Sequence, residues 1–217
     1  MAAAVQQPLI DLLRPVLSDE RVGTYLKAAG HDPHRALALY LWNAKVGEAF
    51  HILIQAVEVG LRNRIAAAFR AVYGPDWWLD PKFRAACGGD RIRDLDLVVD
   101  RITKKGRAVT TCEVVAGLSL GFWVALLQAR YNPGVWSSQL RATFLALPAG
   151  VGRGDLAKAA GRVAFLRNRI DHHEPIIRMD LSKEFSEMMI LLGWICPIKQ
   201  AWVRPHCRVP DLLRQKP

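Results

Sequence analysis

Residues 166–175 read Leu-Arg-Asn-Arg-Ile-Asp-His-His-Glu-Pro. The window holds two arginines, two adjacent histidines, an Asn, an Asp and a Glu, and no other stretch of the chain concentrates so much acid–base and phosphate-binding chemistry. An arginine offers a fixed cation with forked donors that suit phosphate. A histidine moves protons near neutral pH. An asparagine orients either partner by hydrogen bonds. An RNA phosphodiester carries its own nucleophile, the 2′-OH, so a base, a charge stabiliser and a positioner suffice to cleave it.

The segment before this window reads as an amphipathic helix capped by Asp155. At ~100° per residue Leu156, Ala159, Val163, Leu166 and Ile170 fall on one apolar arc. Arg167, Asp171, Asn168 and His172 follow one another across an adjacent arc of ~140°. His173 rotates back towards the apolar side and reads as a packing residue, and Pro175 breaks the helix. Three plainer readings stand beside the catalytic one. Arg167–Asp171 at i,i+4 is a common solvated helix pair, and a histidine near a helix C-terminus is a common cap. Asp171, His172, His173 and Glu174 also contain metal-ligand types, but adjacent residues point ~100° apart and chelate poorly, so no metal is expected.

Around this window the sequence reads as a helical scaffold. The 217 residues are 51% hydrophobic and 23% charged, which fits one compact domain over 1–217, with 1–17 and 214–217 peripheral. Strand patterns are nearly absent, so the fold class is all-α, a helical bundle. Short helical pieces are expected over 1–31, interrupted by Pro8 and Pro15, with Ser18 capping the second. Asp32-Pro33 starts a helix with no proline before Gly74-Pro75. It reads as one very long helix, or two with a bend near Gly47 or Gly60. Trp77 and Trp78 pack against the bundle end, and a charged helix follows over 91–103. Thr110 and Glu113 form a capping-box pattern that opens an apolar helix to Leu127. Short helices follow over 137–147, 181–194 and 197–203, with Met188, Ile190, Leu191, Leu192 and Trp194 inward, and the last residues fray.

The net charge of +10 favours an anionic partner, nucleic acid first. Lys104, Lys105 and Arg107 form a basic turn that suits phosphate contact or simple solvation. Leu61-Arg62-Asn63-Arg64-Ile65 repeats 166–170 letter for letter but carries no histidine. Glu58, four residues before Arg62, is placed to pair with it, and the two either brace the bundle or border the pocket of Arg167 and His172. The four cysteines are widely spaced, so neither a zinc ribbon nor a disulfide framework is expected. No signal peptide or membrane span is read from the sequence, and the expected compartment is the cytoplasm.

Arg167-Asn168-Arg169-Ile170-Asp171-His172, with the following His-Glu-Pro-Ile, resembles the Arg-to-His motif of the Abi-like (abortive infection) proteins of the HEPN superfamily. Ala38-Leu39-Tyr40-Leu41-Trp42-Asn43, Glu58-Val59-Gly60-Leu61-Arg62-Asn63, and the run from Val115 to Trp123 are similar to that family too, in the same order. The resemblance implies a HEPN-like helical bundle with long antiparallel helices and short accessory helices. It also implies a homodimer whose Arg–His motifs face one another, and a metal-independent endoribonuclease that leaves a 2′,3′-cyclic phosphate and serves as a toxin or in phage defence. No cofactor is implied. Carried onto this chain, Arg167 and His172 are the catalytic pair and Asn168 the accompanying polar residue, with Glu58, Arg62, Asp171 and His173 as possible supports. The alternative is a non-catalytic helical module that binds RNA or a cognate antitoxin.

Overall fold

The computed structural model describes residues 8–217; residues 1–7, part of the segment expected to be peripheral, lie outside the described residues. All regular structure among the described residues is helical: α1 (Leu9–Leu17), α2 (Asp19–Ala28), α3 (Pro33–Tyr73), α4 (Pro81–Cys87), α5 (Gly89–Lys104), α6 (Thr111–Gly117), α7 (Leu120–Ala125), α8 (Ser137–Thr143), α9 (Arg153–Asp171), α10 (Leu181–Ile195), α11 (Pro197–Val203) and α12 (Val209–Arg214).

Helix α3 is the axis of the molecule. Its 41 residues rise ~62 Å at ~1.5 Å each. Asp32 caps it by accepting from His34 N at 2.9 Å and Arg35 N at 3.0 Å, and Pro33 occupies its first turn. Gly74, at φ +88°, ends it. The helix does not break at Gly47 or Gly60. Each glycine instead marks a close crossing: a Cβ on Gly47 would meet Ile170 of α9 at 3.4 Å, and one on Gly60 would meet Ile195 of α10 at 2.9 Å. These contacts offset the cost of about 1 kcal/mol that a mid-helix glycine carries.

Around α3 one continuous core gathers buried apolar residues from every helix but α8, and closes at the far end in an aromatic cluster. Phe69 lies 5.6–6.0 Å, centroid to centroid, from Tyr73, Trp77, Phe83, Tyr131 and Trp136. Helices α9 and α10 form an antiparallel hairpin locked by Arg162, which holds Glu184 at 2.7 Å and also pairs with Glu187. Asn43 Oδ1 accepts from Ile176 N at 2.8 Å, and Arg64 Nε donates to Ile195 O at 3.3 Å. Helix α10 therefore runs in the direction of α3, and α9 against it, within the all-α bundle that the sequence predicts.

Local corrections have local causes. The apolar segment 114–127 is two helices, because Leu118 is extended and Ser119 caps α7 by accepting from Phe122 N at 3.2 Å. Thr110 does cap α6, but Glu113 pairs with Arg107. Asp155 is not the cap residue of α9; it sits in the first turn and accepts from Gly152 N at 2.9 Å. Pro15 lies inside α1, and Ile190 is half exposed at 49% rather than inward. The C-terminal residues are docked: Lys216 Nζ donates to Ile177 O at 3.1 Å and lies 5.2 Å from the Trp42 ring centroid.

The Asp32 cap makes a pH-dependent prediction. Hydrogen bonds from Arg35 N first, and then from His34 N, hold its carboxyl below the usual range against the opposing effect of burial. A depressed folded-state pKa gives stability that is complete above the unfolded value, about 4, and is lost as pH falls through the folded one. Asp32→Ala should therefore melt below wild type at pH 7, and the two melting temperatures should converge as pH is lowered below about 4.

Candidate functional site

Leu156, Val163, Leu166 and Ile170 are buried in the core, as their spacing requires, and this fixes the rotation of α9. The opposite side of its last turn is then committed to the polar residues. Arg167 Nε pairs with Asp171 Oδ2 at 2.9 Å, and Arg167 Nη1 donates to Asn168 Oδ1 at 3.4 Å. The carboxylate and the amide together hold the guanidinium, while Asn168 remains exposed.

The helix ends in a Schellman motif. His173 N donates to Ile170 O at 3.0 Å and Glu174 N donates to Arg169 O at 2.8 Å. His172 is the cap residue, at φ −88° and ψ 8°, and its side chain is exposed; it follows Asn168 by four residues and Arg167 by five, about one helical turn. His173 follows at φ +56°, the left-handed position that a glycine normally fills. The wheel that returned His173 to the core assumed continued helix. The reversal of φ carries the side chain out, and it is exposed. Arg169, the middle arginine of the motif, straps the turn: Nη2 donates to Pro175 O at 2.7 Å, Nη1 lies 3.4 Å from Glu174, and the guanidinium sits 5.7 Å from the Phe165 ring centroid.

His173 faces a cavity of about 520 Å³ between α2, α3 and the end of α9. Asp171 and Glu174 line it from the motif, and Arg21, Tyr40, Asn43, Glu48 and His51 line it from the other two helices. Arg167, Asn168 and His172 flank the cavity without lining it. Arg21 Nη1 donates to His173 O at 2.6 Å, which ties α2 to the turn across 152 residues of sequence. Tyr25 stacks edge-on against Tyr40 with centroids 5.2 Å apart, and burial pushes its hydroxyl up to about 12. Asn43 was visible only as the last residue of a stretch similar to the Abi-like family. Its structural work is to accept from Ile176 N. Arg21, Glu48 and His51 carried no sequence signal, because the helix that positions each lies more than 100 residues from the motif.

The other predicted residues are not brought to this turn. Glu58 and Arg62 form no ion pair, and Gly47, where α9 crosses, is 15 residues and so ~22 Å along α3 from Arg62. Arg62 instead borders a cavity of about 310 Å³ with Trp77 and Thr111, and its Nε is buried without a partner. Lys104 and Lys105 lie exposed at the end of α5, which packs mainly on α4 and α6, and Arg107 is engaged by Glu113. Among the described residues no three His, Cys, Asp or Glu side chains are gathered as a metal set, and all four cysteines are free. Among the same residues no helix is long and apolar enough to cross a membrane.

Replacing His173 with glycine should raise stability by about 1 kcal/mol, because the left-handed backbone costs an L-residue ~1–2 kcal/mol and glycine little. Urea melts of the two proteins would check this.

Fold and site together define an all-helical protein that displays an Arg–Asn–His end on a strapped helix terminus. No protein-family model, curated protein or solved structure matches the chain.

Proposed function

We propose that the chain is an endoribonuclease of the HEPN kind, acting without a metal or cofactor as a toxin or phage-defence effector in the cytoplasm. The observation that carries this reading is the Schellman turn that leaves His172 exposed one turn from an Arg167 already oriented by Asp171 and Asn168. In the proposed reaction His172 takes the proton of the 2′-OH, and the 2′-oxygen attacks phosphorus. The bond from phosphorus to the 5′-oxygen breaks, and that oxygen receives a proton. A 2′,3′-cyclic phosphate and a 5′-OH end result. Arg167 stabilises the charge on the pentacoordinate phosphorane, and Asn168 positions the phosphate. A homodimer would supply a second His172, so that one imidazole acts as base and the other as acid.

One observation favours a second reading, a non-catalytic module that binds RNA or an antitoxin: the His172 imidazole has no hydrogen-bond partner among the described residues, so the single chain does not fix its ring. The two readings separate in one experiment. Purified protein is incubated with total RNA in the presence of chelator, beside Arg167→Ala and His172→Ala. Cleavage by wild type alone, with cyclic phosphate ends, supports the nuclease; equal cleavage by all three proteins rejects it. RNA binding lost in the variants, without cleavage by any of them, supports the binding module.

A further inference from the structure

The C-terminal part of the chain carries a surface that the α9 turn does not use. On α11, Ile198 and Trp202 stand four residues apart and share one face. They are 82% and 67% exposed, which is unusual for side chains of their size. Across from them α3 presents Ile52, 44% exposed. Between the two helices lies a groove of about 280 Å³, lined by Ile52, Gln55, Lys199, Trp202 and His206.

On the α11 side of this groove the charge is of one sign. Residues 196–210 contain Lys199, Arg204, His206 and Arg208 and no carboxylate. Lys199 is held below its usual pKa mainly by burial, opposed by Cys196 and reinforced by the neighbouring charge of Arg62. Lys199 lines the groove and Arg204 lies exposed two residues beyond Trp202, and neither forms an ion pair among the described residues. Glu58, on the same side of α3 between Gln55 and Arg62, is half-buried and pairs with neither. An exposed aromatic face ringed by unpaired cations is the arrangement that binds single-stranded nucleic acid: bases stack on the ring, and the backbone lies along the charges.

We propose that the groove between α3 and α11 holds a single-stranded stretch of the RNA, with a base stacked on Trp202 and phosphates on Lys199 and the exposed Arg204. The proposal rests on RNA being the ligand, as in the reading above, and it adds a docking platform apart from the cleaving turn. The tests use the full chain carrying His172→Ala, so that the RNA stays intact, and titrate a fluorescein-labelled single-stranded RNA of mixed sequence by anisotropy. Trp202→Ala should weaken binding about 5- to 160-fold, the range of one lost stacking contact, and Trp202→Phe should restore most of it. Lys199→Gln should lower the slope of log affinity against log salt by ~0.7. A duplex RNA of the same length should be indifferent to Trp202→Ala. Unchanged affinity in Trp202→Ala overturns the platform, and so does a change from dimer to monomer in light scattering with RNA affinity intact, which would make this face a contact between copies. The nuclease reading fails separately: cleavage indifferent to His172 would reject it while leaving a Trp202-dependent affinity standing, and His172-dependent cleavage would survive loss of the platform.

Discussion

Replacing His172 with alanine should slow cleavage of single-stranded RNA by about 10²–10⁴-fold, the usual contribution of a positioned acid–base group. Arg167→Ala should cost about 10²–10³-fold, as expected for removal of one preorganised donor aimed at developing negative charge. Neither change should unfold the protein. His172 is exposed at a helix end, and Arg167 contributes to stability through a partly exposed pair with Asp171, a kind of contact worth at most about 1 kcal/mol, and a long hydrogen bond to the exposed Asn168. Rates from single-turnover assays with gel-resolved products, set beside thermal melts, separate chemistry from folding. A variant that lost activity only in proportion to its lost folded fraction would move these residues from catalysis to structure. Because the two residues act on one phosphate, the double variant should fall no further than the worse single one.

The second large effect is structural. Phe69→Ala should destabilise the fold by about 3–5 kcal/mol, the range for deleting a fully buried aromatic side chain. That is a large part of the ~5–15 kcal/mol that a domain possesses. Phe69 is fully buried and faces five aromatic rings drawn from α3, α4 and the connections before α4 and α8. Those large, rigid rings cannot collapse into the space it vacates. For a chain of this length the melting temperature should drop by about 6–20 °C. The α9 turn lies at the opposite end of α3, so the RNA-cleaving activity of the folded fraction should be unaltered at low temperature. Calorimetry would detect the first effect, and an assay well below the melting point the second.

How much of this the sequence disclosed depends on the range of the interactions involved. Both ends of helix α3 were legible, since its start lies in Asp32-Pro33 and its stop in Gly74-Pro75, both local signals, but its continuity through Gly47 and Gly60 was not. The buried stripe of α9 was legible for the same reason: periodicity needs no partner. The Arg167–Asp171–Asn168 patch followed from helical geometry alone. His173 was misplaced because one residue of left-handed backbone ended the periodicity on which its placement rested, and nothing in His-His-Glu-Pro announces which residue will reverse. The meaning of Gly60 was equally hidden. A glycine inside a helix reads as a weakness until Ile195 is found against it. Arg21 and His51 reach the site only through tertiary packing, and no local pattern encodes that. The docked C-terminus was missed for a related reason, since Lys216 finds Trp42 only after the whole bundle has closed.

The long central helix also sets the order of events on the ribosome. Trp42, near its start, donates to Leu212 O at 2.8 Å across 170 residues of sequence, and α10 and α12 both pack on α3. At ~5–20 residues per second, the ribosome needs roughly 9–34 s to make the chain between Trp42 and Leu212. During that interval the N-terminal half of α3 has emerged with much of its apolar stripe unmatched and only α1 and α2 beside it. Translation thus leaves an apolar nascent surface exposed for far longer than helix formation itself takes.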